Sequence, residues 1–160
     1  MGTFDDAFDR VIGHEGGLVD NLADPGGLTK FGISQRAYPG VDIKALTVDD
    51  AKRLYKRDYW DRAMADQYDG AIGFQLFDAA VNSGVTAAAK MLQRAVGAQD
   101  DGIIGAKTLA AIRATPVAKV LLCFNAERLE YMTNASGWPS FGKGWARREA
   151  TNLRYAAKDL

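Results

Sequence analysis

Glu15-Gly16-Gly17, then Asp24-Pro25-Gly26-Gly27, then Thr29-Lys30-Phe31-Gly32-Ile33-Ser34 form the stretch that decides how this chain is read. It puts one carboxylate at the end of an apolar helical stripe and a second in a glycine-rich excursion just beyond. Two carboxylates in different environments are what glycosidic bond hydrolysis requires. One stays protonated as an acid and the other stays ionised.

A helix leads into this stretch. Thr3 is its expected N-cap, with Asp5 and Asp6 in a first turn where the helix dipole favours negative charge. Phe4, Phe8, Val11 and Ile12 recur at helical spacing. Glu15 follows Phe4 by eleven residues, about 1,100° at about 100° per residue, and so only about 20° past three full circles. It therefore extends the apolar stripe rather than the solvated face. Gly16 or Gly17 suits the C′ position and ends the helix. A half-desolvated carboxyl at the negative end of a helix dipole has a raised pKa, the character of a general acid. The bland alternative is a helix-terminal glutamate pointing at water, the usual fate of Glu. The next segment weighs against it. Asp24-Pro25-Gly26-Gly27 is a strong turn signal, and Leu18 to Leu22 and Leu28 to Ser34 are short enough to flank it as a small hairpin. Folded back over the helix end, such a hairpin brings Asp24 and Thr29 toward Glu15.

The order Glu15-Gly-Gly, Asp24-Pro-Gly-Gly, Thr29 and Gly32-Ile33-Ser34 resembles the N-terminal signature of glycoside hydrolase family 108. That family contains phage endolysins and secretion-associated muramidases that act on peptidoglycan. Tyr59-Trp60-Asp61 and Asp78-Ala79-Ala80-Val81-Asn82-Ser83-Gly84 continue the resemblance. Leu92-Gln93-Arg94-Ala95 and Asp101-Gly102-Ile103-Ile104-Gly105, with Thr108, resemble the small peptidoglycan-binding region that ends many members. The resemblance implies a mainly α, lysozyme-like fold of two lobes with a small β-hairpin after the first helix. It also implies Glu15 as the essential acid. By the same resemblance Asp24 activates or orients water and Thr29 helps to hold it, with inversion as in phage-type lysozymes. The gap between Asp24 and Thr29 is one residue shorter than in those lysozymes, and Asp20 competes as the second carboxylate.

Composition fits one compact domain. The chain has 160 residues, 48% of them hydrophobic, enough for one sizeable core. No apolar run approaches the roughly 20 residues that span a bilayer. The N-terminus lacks the basic and apolar regions of a secretory signal. The expectation is therefore synthesis in the bacterial cytoplasm and action in the periplasm or cell wall after holin-type or secretion-linked release. A single cysteine, Cys123, excludes an internal disulfide. The lone histidine, His14, argues against a zinc centre, and no metal or organic cofactor is implied. The 20 basic and 20 acidic side chains cancel, which argues against a nucleic-acid protein. The charge is nonetheless uneven: Asp5, Asp6 and Asp9 load the N-terminus, while Lys143, Arg147, Arg148, Arg154 and Lys158 load the last helix. A solvated helix face is the plain reading of that run, and attraction to an anionic wall the sharper one.

Beyond the hairpin, the pattern is helices with short breaks. Thr47 caps a second helix, Gly84 closes a third, Gly97 ends a fourth, and Pro116 opens a long one. The expected organisation is a lysozyme-like catalytic region over 1–84 and a helical region over 85–160 that resembles a peptidoglycan-binding domain, packed as one unit. Asp78 and Asn82, four apart on one side of a helix, are expected to hydrogen-bond the glycan. Tyr59, Trp60, Trp138 and Trp145 are expected to stack on sugar rings, against the alternative that they are core. Asp100-Asp101-Gly102 with Gly105 is a wall-binding turn by resemblance and only a helix-to-helix turn by chemistry. The function expected from all this is an N-acetylmuramidase working on bacterial peptidoglycan as a monomer. The alternatives are a lytic transglycosylase that uses Glu15 alone and a non-catalytic wall-binding module.

Overall fold

The computed structural model describes residues 3–15, 19–20 and 27–160, apart from the side chains of residues 14, 15, 19 and 20. Helix α1 (Phe4–Glu15) begins where the Asp6 backbone N–H donates to Thr3 Oγ1 at 3.3 Å. Its stripe is buried as the spacing predicts: Phe8 and Val11 are fully enclosed, and Phe4 and Ile12 pack at the margin. A three-stranded antiparallel meander follows, with β1 (Val19–Asp20), β2 (Leu28–Lys30) and β3 (Ile33–Ser34) in that order. The expected hairpin is thus present and carries one more strand. The Phe31-Gly32 turn between β2 and β3 has φ of 52° and 75°. Two positive φ angles in a two-residue connection match the twist of the flanking strands. Phe31 is an unusual occupant of that region, and Tyr55 Oη holds it by donating to the Phe31 carbonyl at 2.7 Å.

Helix α2 (Val48–Tyr55) starts with a reciprocal capping box. Asp50 N donates to Thr47 Oγ1 at 3.1 Å, and Thr47 N donates to Asp50 Oδ2 at 3.0 Å. The chain then winds through a π-turn (Lys56–Trp60) and a 3-10 turn (Ala65–Gln67) into α3 (Gly70–Ser83). Helices α4 (Val85–Ala95), α5 (Ala106–Ala114), α6 (Val117–Asn134) and α7 (Trp138–Asp159) complete the fold.

Helix α3 is the spine, because two hydrophobic clusters share it. Its Phe74 and Phe77 join α1, α2 and β3 around Phe8, Tyr55 and Trp60. Its Ile72, Leu76, Ala79 and Ala80 join α4, α5 and α6 around Met91, Leu92 and Phe124. Tyr59 packs against both. The chain ends are clamped together across the spine: Arg10 makes a two-pronged ion pair with Asp159 at 2.6 and 2.9 Å, and its guanidinium lies over the rings of Tyr155 and Phe74. Among the described residues no single helix is long and apolar enough to cross a membrane.

Candidate active site

Glu15 is the last residue of α1, one helical turn beyond the buried Val11. Its side chain lies outside the described residues, as does that of His14. Asp24 lies outside them altogether. Asp20 is placed by its backbone opposite Leu28 in the β1–β2 ladder. Thr29 is half-buried in the middle of the sheet, between Val19 and Ser34, and its hydroxyl donates to the Gly27 carbonyl at 3.3 Å. The meander therefore follows α1 directly, with Thr29 in its central strand.

Of the residues expected at the glycan, Asn82 and Tyr59 are half-buried. Asp78 and Trp60 are corrected. Trp60 is 1% exposed and meets Phe4 and Phe77 edge-on at 5.5 and 5.4 Å, so its indole is core and no sugar platform. Asp78 is 0% exposed, and both its oxygens are engaged. Arg128 Nη2 donates to it at 2.7 Å, Arg148 Nη2 at 2.9 Å, and Asn152 Nδ2 at 2.5 Å. A fully enclosed carboxylate cannot touch a sugar in this conformation. What it does is join α3 to α6 and α7.

That ionic hub is the feature sequence reasoning misses. Burial by itself raises the Asp78 carboxyl, but the two guanidinium groups outweigh it and hold the group well below the usual carboxylate range. Glu149 shares the hub with the opposite outcome. It is 1% exposed, its carboxyl comes no nearer to Arg128 Nε than 3.4 Å, and burial pushes it up to about 7. Arg148 departs from the expected solvated face of the last helix. It is turned inward, with its side chain only 12% exposed. No local signal marks it: Arg148, Asn152, Tyr155 and Asp159 recur at helical spacing, but a polar stripe on a helix ordinarily faces solvent.

The turn at Asp100–Gly105 also has a structural account. Gln93 is fully buried, donates to Asp101 Oδ1, the Ile103 carbonyl and Thr108 Oγ1, and accepts from Gly102 N at 2.8 Å. The residues of the C-terminal motif thus brace one another. Cavities of about 580 and 680 Å³ lie against α2 and between α4 and α6, and neither is lined by Thr29, Asn82 or Tyr59. Among the described residues no group of three His, Cys, Asp or Glu side chains is arranged to hold a metal ion.

Comparison with known proteins adds what geometry alone does not. The family model described as glycosyl hydrolase 108 matches residues 8–84, a span that contains Glu15, Asp24, Thr29, Asp78 and Asn82. The structure of Brucella abortus SagA is similar over nearly the whole length. The two share 36% identity, with 99% of this chain and 94% of that chain covered and a TM-score of 0.87. No curated protein matches the chain.

Proposed function

The chain belongs to the glycosyl hydrolase 108 family, and from that premise we propose that this peptidoglycan hydrolase is an N-acetylmuramidase with Glu15 as its general acid. The fold is mainly α and lysozyme-like. The bond cut is the β-1,4 linkage between N-acetylmuramic acid and N-acetylglucosamine. One observation carries the reading. The matched segment opens on a helix whose apolar stripe is buried through Val11 and whose last residue is Glu15. Helix C-termini carry partial negative charge, which favours the protonated form of a carboxyl placed there. A protonated carboxyl is what a glycosidic oxygen needs to leave. In this reading Asp24 activates the attacking water, Thr29 helps to hold it, and Asp20 is the competing base. Carboxyl groups about 6.5–9.5 Å apart would accompany inversion, and about 5–5.5 Å retention.

The test is digestion of purified peptidoglycan by the wild type and by Glu15→Gln, followed by turbidity and by mass spectrometry of the fragments. The expected result is soluble fragments ending in reducing N-acetylmuramic acid from the wild type and none from the variant. Anhydro ends would make the enzyme a lytic transglycosylase. Equal activity in both proteins would put the acid elsewhere. A pH–rate profile adds a second check: the alkaline limb belongs to the acid, so the residual activity of Glu15→Asp should show that limb displaced.

A further inference from the structure

Three aromatic side chains at the start of α7 have no place in either hydrophobic cluster. Trp138, Phe141 and Trp145 recur at helical spacing on one face, and Phe141 is 62% exposed. They touch one another: the Trp138 and Trp145 rings are 6.3 Å apart, and the Phe141 and Trp145 rings 6.1 Å apart at 33°. Two glycines make the arrangement possible. A Cβ at Gly142 would lie 2.5 Å from the Trp138 ring, and one at Gly137 would lie 2.9 Å from Trp145 and 3.3 Å from Phe141. Gly142 sits inside a helix, where glycine is disfavoured, and its absent side chain lets the indole lie flat on the backbone.

The same face of α7 continues into the ionic hub. Tyr155 meets Phe74 at 5.4 Å, the Asn152 carbonyl accepts from Gln75 at 2.7 Å, and Arg148 holds Asp78. These pairings step down α7 while stepping up α3. Trp145, one turn before Arg148, therefore lies toward the Asn82 end of α3.

We infer that Trp138, Phe141 and Trp145 form a carbohydrate-stacking platform that holds the glycan strand of the substrate. Flat aromatic faces suit the C–H surface of a pyranose ring. Residues 137–145 carry aromatics and glycines and no Leu, Ile, Val or Met, unlike the seam of a helix that packs on a partner helix. A chain that hydrolyses glycosidic bonds must also grip sugars on either side of the bond it cuts. The inference rests on the glycan-hydrolase reading for the identity of its occupant.

Binding is measured with the full chain carrying Glu15→Gln, so that the ligand survives, using purified glycan strands freed of their stem peptides. Tryptophan fluorescence follows the titration, since Trp60 is enclosed and the signal reports Trp138 and Trp145. Phe141→Ala and Trp145→Ala should each weaken binding about tenfold. Trp145→Phe should keep most of the affinity, and Leu122→Ala, an exposed apolar residue on α6, should keep all of it. Phe141 is exposed, so its variant folds normally, and far-UV circular dichroism verifies this. Unchanged affinity in both alanine variants would overturn the inference. So would a loss confined to vesicles of anionic phospholipid, with glycan binding intact. Failure of the muramidase reading is separately visible: the wild type would release no fragments while binding still depended on Phe141 and Trp145.

Discussion

Glu149 and Asp78 share two arginines and respond to pH in opposite ways. Asp78 is held below its ordinary range, so its contribution to stability is present above its unfolded value and is lost only as strongly acid pH protonates it. Glu149 is raised to about 7, so its contribution is fully present below its unfolded value and fades as pH rises through about 7. Between pH 5 and 8 the two together give one expected trend. The urea midpoint should fall as pH rises, by an amount worth about 2 kcal/mol, and Glu149→Gln should flatten that slope. A slope unchanged in the variant would mean that another group titrates in this window. Asp78 calls for a different outcome. Asp78→Ala strands two guanidinium groups, one of them 1% exposed, and should cost about 3–5 kcal/mol. Its lost activity should then follow the lost folded fraction. A well-folded Asp78→Ala protein without activity would return Asp78 to the substrate.

At the scale of elements, glycines separate helix propensity from packing. Gly144 lies in α7 with nothing within 4 Å of where a Cβ would sit, so Gly144→Ala should raise stability by about 1 kcal/mol. Gly73 lies in α3, where a Cβ would come within 2.7 Å of the Ala65 carbonyl oxygen, so the same exchange should lower stability. Thermal melts of the two variants should move in opposite directions, and shifts of the same sign would refute the packing account. The contrast also shows why some of the molecule is readable in sequence. Local rules are printed in local residues: the Thr47 cap with Asp50 three residues on, the Phe4–Phe8–Val11 stripe, the stop at Gly84. Each reappears in the structure at the expected place. Long-range partnerships leave no such mark. Asp78 finds Arg128 and Arg148 fifty and seventy residues away, and no periodicity within 78–84 distinguishes a glycan contact from a buried ion pair. Trp60 is ambiguous in sequence for the same reason, because an aromatic on a helix face packs inward or outward according to what the distant chain places there. The end of α1 at Glu15 is legible because the stripe and the glycines that follow it lie together in the chain. The Trp138–Phe141–Trp145 face is only half legible: its helical spacing is printed in the sequence, but the exposure of Phe141 is not.

The whole molecule is tied together by α3, and this bears on how the chain divides. The expected regions, 1–84 and 85–160, meet at the Gly84 break between α3 and α4. A cut there leaves the Ile72, Leu76, Ala79 and Ala80 side of α3 without the α4, α5 and α6 residues that cover it. It also removes Asp159 from Arg10 and both arginines from Asp78. The exposed apolar strip and the unpaired buried charges together should exceed the marginal stability of a domain this small. We therefore expect fragment 1–84 to show no cooperative unfolding, although it holds the entire segment matched by the family model. In the intact chain, urea unfolding followed by tryptophan fluorescence and by far-UV circular dichroism should give coincident curves, because both clusters lose α3 together. A fragment 1–84 with a sharp melt, or two separated transitions in the intact chain, would show that the catalytic region folds alone. In that case the C-terminal helices would be an appended module, and the aromatic face of α7 would need to reach the substrate across a flexible boundary. A single transition keeps Glu15 and that face in one rigid frame, the condition under which a glycan held at Trp145 is also aligned for cleavage.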